Sequence, residues 1–269
     1  MRIGLLTLFY LKSIILKSKL NKYSIFISYM KNKEFFYQQY NKINWQNQDK
    51  TKINSLMNSF IIKKIISKKD INNIKIFDMG FGIGFFFEML AKLLPKQMTD
   101  IVLEGCEPSL KNYKYFKSKT PNLERGQLQT YNKTFLETKT DTKFDFITSI
   151  YVFPHIEHDE LNKVIKKIHT MLNKDGQFIL VVANEEDVKK RLKAKGDLFI
   201  EKNKIKFDGK EYEEVLHYSN IPEIGTIIDY NREERFYPDL FKKNGFELIE
   251  KKDLEDNGFI GTIFVFSKK

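Results

Sequence analysis

The order of apolar and polar positions along the chain predicts short buried strands that alternate with amphipathic helices. Ile74, Ile76 and Phe77 form the first apolar run, and residues 85–94 have helical spacing until Pro95 ends the helix. Further strands are predicted at 101–109, 128–135, within 143–157 and at 177–183, with helices at 110–120 and 161–172. This alternation favours an α/β fold with a parallel sheet.

The segments that flank this alternating region have other patterns. Residues 34–69 are predicted to be helical, with a break at Asn44-Trp45-Gln46-Asn47. Residues 184–235 are predicted to be an insertion that begins as a helix and continues as strands at 198–200, 204–207 and 212–218. Asp208-Gly209 predicts a hairpin turn between two of these strands. A glycine-capped helix at 237–246, a sixth strand and a last strand at 258–267 complete the pattern.

Composition narrows the class of protein. A chain of 269 residues with 42% hydrophobic content can build a sizeable core, as one domain with an insertion or as two small domains. Cys106 is the single cysteine, which excludes an internal disulfide framework and a cysteine-based zinc site. It also predicts a reducing, cytoplasmic setting. The four histidines lack the spacing typical of metal ligands, so no metal is predicted.

The net charge of +11 is concentrated at the N-terminus. Residues 1–75 contain 15 Lys/Arg and 3 Asp/Glu, whereas the rest of the chain contains 31 basic and 32 acidic residues. Such asymmetry is typical of a segment that binds nucleic acid or anionic lipid. The favoured alternative is the compositional bias of an A+T-rich genome, because only five of the basic residues are arginine.

Residues 1–29 form a basic and apolar N-terminal extension. Lysines interrupt its apolar runs, so the segment lacks the stretch of about 18 apolar residues that a spanning helix needs. A signal peptide would fit the length of the first apolar run, but no convincing small-residue cleavage site follows it. Two other interpretations stay open. The segment is a basic amphipathic helix at a membrane surface, or translation starts at Met30, and the second is favoured.

Candidate chemistry begins at the turn between the first strand and its helix, Asp78-x-Gly80-x-Gly82-x-Gly84. Glycines at every second position let the backbone turn tightly and approach a ligand without interference from Cβ atoms. The following helix directs its free N–H groups at that turn. The spacing is not the G-x-G-x-x-G of dinucleotide sites, and the acidic residue suits a cationic ligand better than a phosphate. A plain tight turn is the alternative.

Asp78-x-Gly80-x-Gly82-x-Gly84 resembles the first motif of the class I S-adenosylmethionine-dependent methyltransferases. Glu107-Pro108-Ser109, at the end of the second strand, looks like the second motif of that family. Glu107 follows the glycine turn at about the sequence distance at which an α/β nucleotide site places its ribose-binding carboxylate. The resemblance implies S-adenosylmethionine as the cofactor, with Glu107 accepting hydrogen bonds from both ribose hydroxyls. Glu104 is expected to be an exposed structural residue of the strand.

The resemblance also implies an architecture. It is a Rossmann-like sandwich with a seven-stranded, mostly parallel sheet, an antiparallel last strand and helices on both faces. Residues 70–183 and 236–269 would form the methyltransferase core. Residues 30–69 would be a helical lid over the cofactor pocket, and residues 184–235 a substrate cap. The oligomeric state is left open.

Lys143 to Glu157 resembles the family's fourth motif, in which strand 4 ends beside the sulfonium and the next loop faces the substrate. By that resemblance Ser149, Ile150 and Tyr151 line the methionine end of the cofactor. His155 is the predicted substrate-side acid or base, because imidazole titrates near neutrality. The alternative is that His155 only orients the loop. His158 is expected to be a solvated residue at the start of the next helix.

Acceptor contacts are expected in the lid and in the cap. Tyr40, Tyr218 and Arg232 are the selected candidates, and no spacing rule separates them from Tyr37, Trp45, His217 and Tyr230. For the lid aromatics, packing is the alternative. Asn132 and Lys133 follow the third strand, where many relatives carry an acidic or polar residue for the adenine, so the adenine contact is left unassigned.

These features together predict an S-adenosylmethionine-dependent methyltransferase that acts on an N or O atom of a small metabolite. The segment after strand 4 lacks Asn-Pro-Pro-Tyr, which argues against the amino-methylating enzymes of DNA bases and glutamine. Cys106 lies in the wrong strand for an RNA cytosine mechanism. The alternatives are an RNA or protein methyltransferase that docks through the basic N-terminal third, and a non-catalytic nucleotide- or cofactor-binding module. The missing dinucleotide motif disfavours an NAD-dependent oxidoreductase.

Overall fold

A computed structural model of the protein describes residues 52–68, 73–94, 100–119, 126–195, 199–221 and 225–269. The strands are β1 (Lys75–Met79), β2 (Ile101–Cys106), β3 (Gly126–Tyr131), β4 (Phe144–Ile150), β5 (Leu172–Ala183), β6 (Phe199–Phe207), β7 (Lys210–Ile221), β8 (Gly225–Arg232), β9 (Phe246–Asp256) and β10 (Phe259–Lys268). The helices are α1 (Lys52–Ile66), α2 (Phe85–Leu93), α3 (Leu110–Ser118), α4 (His158–Met171), α5 (Glu185–Lys195) and α6 (Phe236–Lys243). A short 3-10 helix (Phe153–His155) follows β4.

Seven strands form one sheet in the order β3-β2-β1-β4-β5-β10-β9. Strands β1 to β5 pair in parallel, and β10 is antiparallel to both of its neighbours. The predicted Rossmann-like sheet with an antiparallel last strand is therefore confirmed. The strand order reverses between β1 and β4, and in α/β sheets the carboxyl ends of the strands at such a point form the ligand crevice.

Apolar side chains leave the sheet on alternate faces, so each face has its own core. On one face Phe264 and Phe266 of β10 lie in the same cluster as Phe241 of α6, whose ring stacks on Phe266 at 4.1 Å. On the other face Ile263 of β10 shares a cluster with Ile61 of α1. Burying each such side chain contributes about 1.5–3 kcal/mol, which makes α1 and α6 integral to the sandwich.

The insertion forms a second, three-stranded antiparallel sheet in the order β6-β7-β8. Asp208 and Gly209 join β6 to β7 with φ values of 49° and 75°, the positive angles of the predicted hairpin turn. The predicted strands at 198–200 and 204–207 were wrong as separate elements, because β6 runs through both. The sequence pattern also missed β8, in which adjacent apolar residues (227–228) and adjacent polar residues (231–232) interrupt the alternation.

Two predicted strand ends were too long or shifted. β2 ends at Cys106 and not at Ser109. The Glu107 N–H still bonds the carbonyl of Tyr131, but Pro108 has no N–H with which to continue the ladder. β3 covers 126–131 and not 128–135.

Glu104 was expected to be exposed but is buried. Its carboxylate accepts hydrogen bonds from the hydroxyls of Tyr131, Thr140 and Thr142.

Several predictions fall on parts of the chain outside the described residues. They include the N-terminal extension, the break near Trp45, the lid segment as far as residue 51, and the acceptor candidates Tyr37 and Tyr40. In the part of the chain that is described, none of the helices is long and apolar enough to cross a membrane.

Candidate active site

The three glycines of the turn after β1 all adopt conformations that side chains disfavour. Gly80, Gly82 and Gly84 have φ values of 70°, 57° and 87°. The Gly80 N–H donates to the carbonyl of Cys106 at 2.8 Å, which ties the turn to the end of β2. Only glycine takes up such angles without strain, so the alternation of the motif follows directly from the backbone path.

Neighbouring side chains pack closely against this turn on two sides. A Cβ atom at Gly80 would lie 2.6 Å from Cγ2 of Val152, in the loop after β4. A Cβ atom at Gly84 would lie 2.1 Å from Cδ2 of Phe116 in α3. The turn is thus enclosed between the fourth motif and the helix that follows the second motif. Close approach, in addition to the backbone angles, requires glycine at both positions.

Asp78 lies at the carboxyl end of β1 and is almost completely buried. The hydroxyl of Thr148 in β4 donates to its Oδ1 at 2.6 Å, so the two central strands share a polar contact at the crevice. A buried carboxylate needs such partners, because burial without them is strongly unfavourable. The contact fixes Asp78 directly beneath the glycine turn.

Glu107 links the second motif to the first. Its Oε2 accepts a hydrogen bond from the Gly82 N–H at 2.9 Å, and its Oε1 accepts one from the Ser109 N–H at 2.8 Å. The carboxylate is 1% exposed, and Pro108 next to it is half-buried. Ser109 is the N-cap of α3, with its hydroxyl accepting from the Asn112 N–H. Glu107 therefore organises the glycine turn and the start of α3.

The loop after β3 is held by two polar side chains. The Asn132 amide donates to the carbonyls of Glu107 and Pro108, so it braces the second motif, whereas Lys133 is exposed. The Lys167 ammonium of α4 donates to the carbonyls of Phe135, Leu136 and Thr138. Burial lowers the pKa of Lys167. Sequence reasoning missed Lys167, because its partners are backbone atoms far along the chain.

The end of β4 presents more backbone than side chain to the crevice. Ser149 is fully buried in register with Met79 and Leu180, and its hydroxyl has no hydrogen-bond partner among the described residues. Ile150 is partly buried against the core. Tyr151 has a φ of 57°, a strained value for an aromatic residue. Its hydroxyl oxygen lies 2.6 Å from the position that a Cβ atom would occupy at Gly261 of β10. Such strain is typical of functional sites.

His155 is the last residue of the 3-10 helix and lies against the insertion. Its Nδ1 is 3.3 Å from Oδ1 of Asp229 in β8, and both side chains are mostly buried. Asp229 was not predicted, since no motif surrounds it in the sequence. In β8 it stands opposite His217 of β7. The structure thus brings a carboxylate of the insertion to the imidazole of the fourth motif.

Arg232 does not face a cleft, in contrast to its prediction as an acceptor contact. Its side chain is 0% exposed and forms an ion pair with Glu214 of β7 at 2.6 Å. His217 is also buried, with the Asn231 amide 2.7 Å from its Nδ1. Tyr230 is partly exposed over Arg232, and burial raises its pKa to about 12. The side chain of Tyr218 lies outside the described part of the chain.

His158 starts α4 as expected but is not solvated. It is partly buried, and its ring centroid lies 5.7 Å from that of Phe236. Desolvation lowers the pKa of His158. It therefore packs against the start of α6.

Cys106 is expected to be unreactive in the folded protein, since burial raises the pKa of its thiol to about 12. A thiol reagent at pH 8 should label it only in urea. Because the unfolded thiol titrates near about 8.5, this group's contribution to stability is present below that pH and is lost as the pH rises towards 12. Rapid labelling of the native protein would contradict the prediction.

The seven-stranded sheet with its antiparallel β10 is the fold of a class I methyltransferase. A family model for a methyltransferase domain matches residues 52–251, most of the chain, and the chain belongs to that family. The predicted class I S-adenosylmethionine-dependent enzyme and its cofactor are confirmed.

Among curated relatives, an uncharacterised protein of Methanocaldococcus jannaschii is 26% identical over 189 residues, covering 70% of this chain and 67% of its own. An uncharacterised methyltransferase of Bacillus cereus is 29% identical over 119 residues, or 44% of this chain and 50% of its own. The match thus spans only half the length of the second relative.

Solved structures share the fold at low sequence identity. A magnesium protoporphyrin IX methyltransferase from Synechocystis with bound S-adenosylhomocysteine has a TM-score of 0.59 at 15% identity, covering 92% of this chain and 99% of that one. An S-adenosylmethionine-dependent methyltransferase from Clostridium acetobutylicum has a TM-score of 0.55 at 15% identity, covering 78% and 90%. A glycopeptide N-methyltransferase has a TM-score of 0.55 at 12% identity, covering 78% and 93%. These likenesses concern the fold alone.

Proposed function

We propose that the protein transfers a methyl group to an N or O atom of a small metabolite that must lose a proton, with His155 as the base. The observation that supports this proposal is the contact of His155 Nδ1 with Asp229 Oδ1 at 3.3 Å, next to the end of β4. An imidazole with a carboxylate behind one ring nitrogen is oriented to take a proton at the other. Asp229 is the proposed positioning residue for His155.

The cofactor-binding roles of the glycine turn and of the second motif are part of the same proposal. The fit is supported by the positive φ angles of the three glycines, which turn the backbone sharply at the carboxyl end of β1, and by the buried carboxylates beside the turn. The proposed contacts are Asp78, Gly80, Gly82, Gly84, Glu107, Pro108, Ser109, Ser149, Ile150 and Tyr151. Ser149 would contribute through its backbone, because its side chain is buried. When bound, S-adenosylmethionine supplies a methyl carbon activated by the sulfonium.

The remaining work of the protein is alignment, exclusion of water and removal of one proton. We propose that the insertion closes over the acceptor and that β8 lines the pocket with Tyr230 near Glu157. Tyr40 and Tyr218 stay predicted acceptor contacts. Arg232 is withdrawn from that set, because its guanidinium is completely buried. A cytoplasmic location remains a proposal that rests on the single cysteine.

The decisive experiment is transfer of a labelled methyl group from S-adenosylmethionine to a panel of small hydroxyl and amine compounds, to RNA and to protein. We expect label in a small compound. His155→Gln should then lower kcat by about 100-fold or more, because general base catalysis typically contributes 10²–10⁴-fold. His158→Gln is the matched control, since this neighbouring histidine packs on Phe236 and should leave kcat nearly unchanged.

The affinity for S-adenosylmethionine, measured by calorimetry, should be the same in both variants. Label only in RNA or protein would favour the alternative of docking through the basic N-terminal third, above all if binding weakens steeply with salt. Full activity of His155→Gln would leave His155 with the loop-orienting role alone.

A further inference from the structure

Arg232 provides a second contact between the insertion and the loop that carries His155. The Arg232 Nη1 donates to the carbonyl of Phe153 at 3.1 Å, and Nη2 donates to the carbonyl of Ile156 at 2.6 Å. These carbonyls lie on either side of His155 along the chain. A single guanidinium therefore binds backbone carbonyls on both sides of His155, across the short 3-10 helix.

The positive charge of the Arg232 guanidinium is paired with a carboxylate in the protein interior. Glu214 of β7 forms an ion pair with its Nε at 2.6 Å, and Glu214 itself is only 5% exposed. Breaking such a buried pair leaves an uncompensated charge, so the arrangement is fixed once it has formed.

The same strand, β8, supplies both contacts to the loop. Asp229 approaches the His155 ring, and Arg232 holds the backbone on both sides of that residue. The parallel sheet also holds this loop, through the Tyr151 N–H bonded to the carbonyl of Val181 and through the Phe153 ring packed on Phe178 of β5. The insertion adds the contacts that approach His155 itself.

We propose that Arg232 is a positioning residue that sets the location and tautomer of His155 by binding the carbonyls of Phe153 and Ile156. This inference rests on the proposed role of His155 as the base. It gives the insertion a second task, since it builds part of the acid–base apparatus in addition to covering the acceptor. Lysine cannot replace arginine here, because a single ammonium lacks the planar fork that reaches two carbonyls and a carboxylate together.

The test uses the intact protein with ¹⁵N-labelled histidine, whose four imidazoles are resolved by NMR and assigned with His155→Gln. In the wild type we expect His155 in the tautomer that is protonated at Nδ1, facing Asp229. Arg232→Lys should lose that tautomer preference while affinity for S-adenosylmethionine is retained. Arg235→Lys is the matched control, because this arginine is exposed and pairs with Glu233, and it should change nothing.

Once an acceptor is known, Arg232→Lys should lower kcat by about 100-fold with little change in KM for S-adenosylmethionine, the effect of a misplacement near 1 Å. An unchanged tautomer and kcat in a folded Arg232→Lys protein would overturn the inference and leave the proposed function standing. Conversely, a tautomer that responds to Arg232→Lys while His155→Gln stays fully active would support positioning and overturn the role of His155 as the base.

Hydrogen exchange on the wild type keeps the inference testable if Arg232→Lys does not fold. The amides of His155 and Ile156 bond the carbonyls of Val152 and Phe153. If the loop and β8 form one unit, these two amides should exchange at rates close to those of the paired β8 amides. Much faster exchange of His155 and Ile156 would mean that the loop opens independently, and the inference would be wrong.

Discussion

Glu107→Gln is expected to weaken binding of S-adenosylmethionine by about 10- to 100-fold, because hydrogen bonds to a charged group contribute about 1.5–3 kcal/mol. The carboxylate accepts from the N–H groups of Gly82 and Ser109, and the amide of glutamine can accept at only one of its two ends. The glycine turn would then lose one of its anchors together with the charge. Isothermal titration calorimetry on the intact protein measures the change.

Glu104→Gln is the matched control for this effect. Glu104 belongs to the same strand end, is also buried, and accepts from three hydroxyls instead of backbone N–H groups. We expect this variant to lose stability in urea without loss of ligand affinity. Equal losses of affinity in the two variants would show that the effect comes from general destabilisation of β2, which contradicts a specific role of Glu107.

Gly84→Ala is expected to destabilise the protein by about 3 kcal/mol. Its φ of 87° lies in the left-handed region, which costs an alanine about 1–2 kcal/mol. The new methyl group would also meet Cδ2 of Phe116 at 2.1 Å, and overpacking of this kind costs about 1–3 kcal/mol more. Urea unfolding, followed by circular dichroism, gives the free energy directly.

Gly209→Ala separates the two causes. Gly209 has a similar φ of 75°, but nothing lies within 4 Å of the position that a Cβ atom would occupy. This variant should therefore lose only about 1 kcal/mol from the backbone conformation. Placing Gly84→Ala in a Phe116→Leu background should recover part of the packing loss, because the two positions are in contact. Similar losses in Gly84→Ala and Gly209→Ala would contradict the role of Phe116.

Local patterns in the sequence were sufficient to predict most strands of the sheet and to locate the turn and the carboxylate that are proposed to bind the cofactor. The apolar run before Asp78, the alternating glycines and Glu107-Pro108-Ser109 are short-range features that a strand, a turn and a helix start require at fixed spacing. The hairpin at Asp208-Gly209 was predictable for the same reason, since its positive φ values restrict the residue types. β8 was missed because adjacent apolar residues and adjacent polar residues interrupt its alternation.

The acceptor side was decided by tertiary structure. Asp229 and Arg232 lie in a strand with weak patterning, and Arg232 binds the carbonyl of Phe153 across 79 residues of chain. A long-range contact of this kind leaves no periodic or spaced trace in the sequence, which is why Arg232 was predicted to contact the acceptor. The sequence by itself determined the order of strands and helices, the glycine turn and the place of Glu107, because each follows from residue types at a fixed spacing. The contact between the insertion and His155 depends on the tertiary structure, because burial of the Arg232–Glu214 pair requires both sheets to be in place.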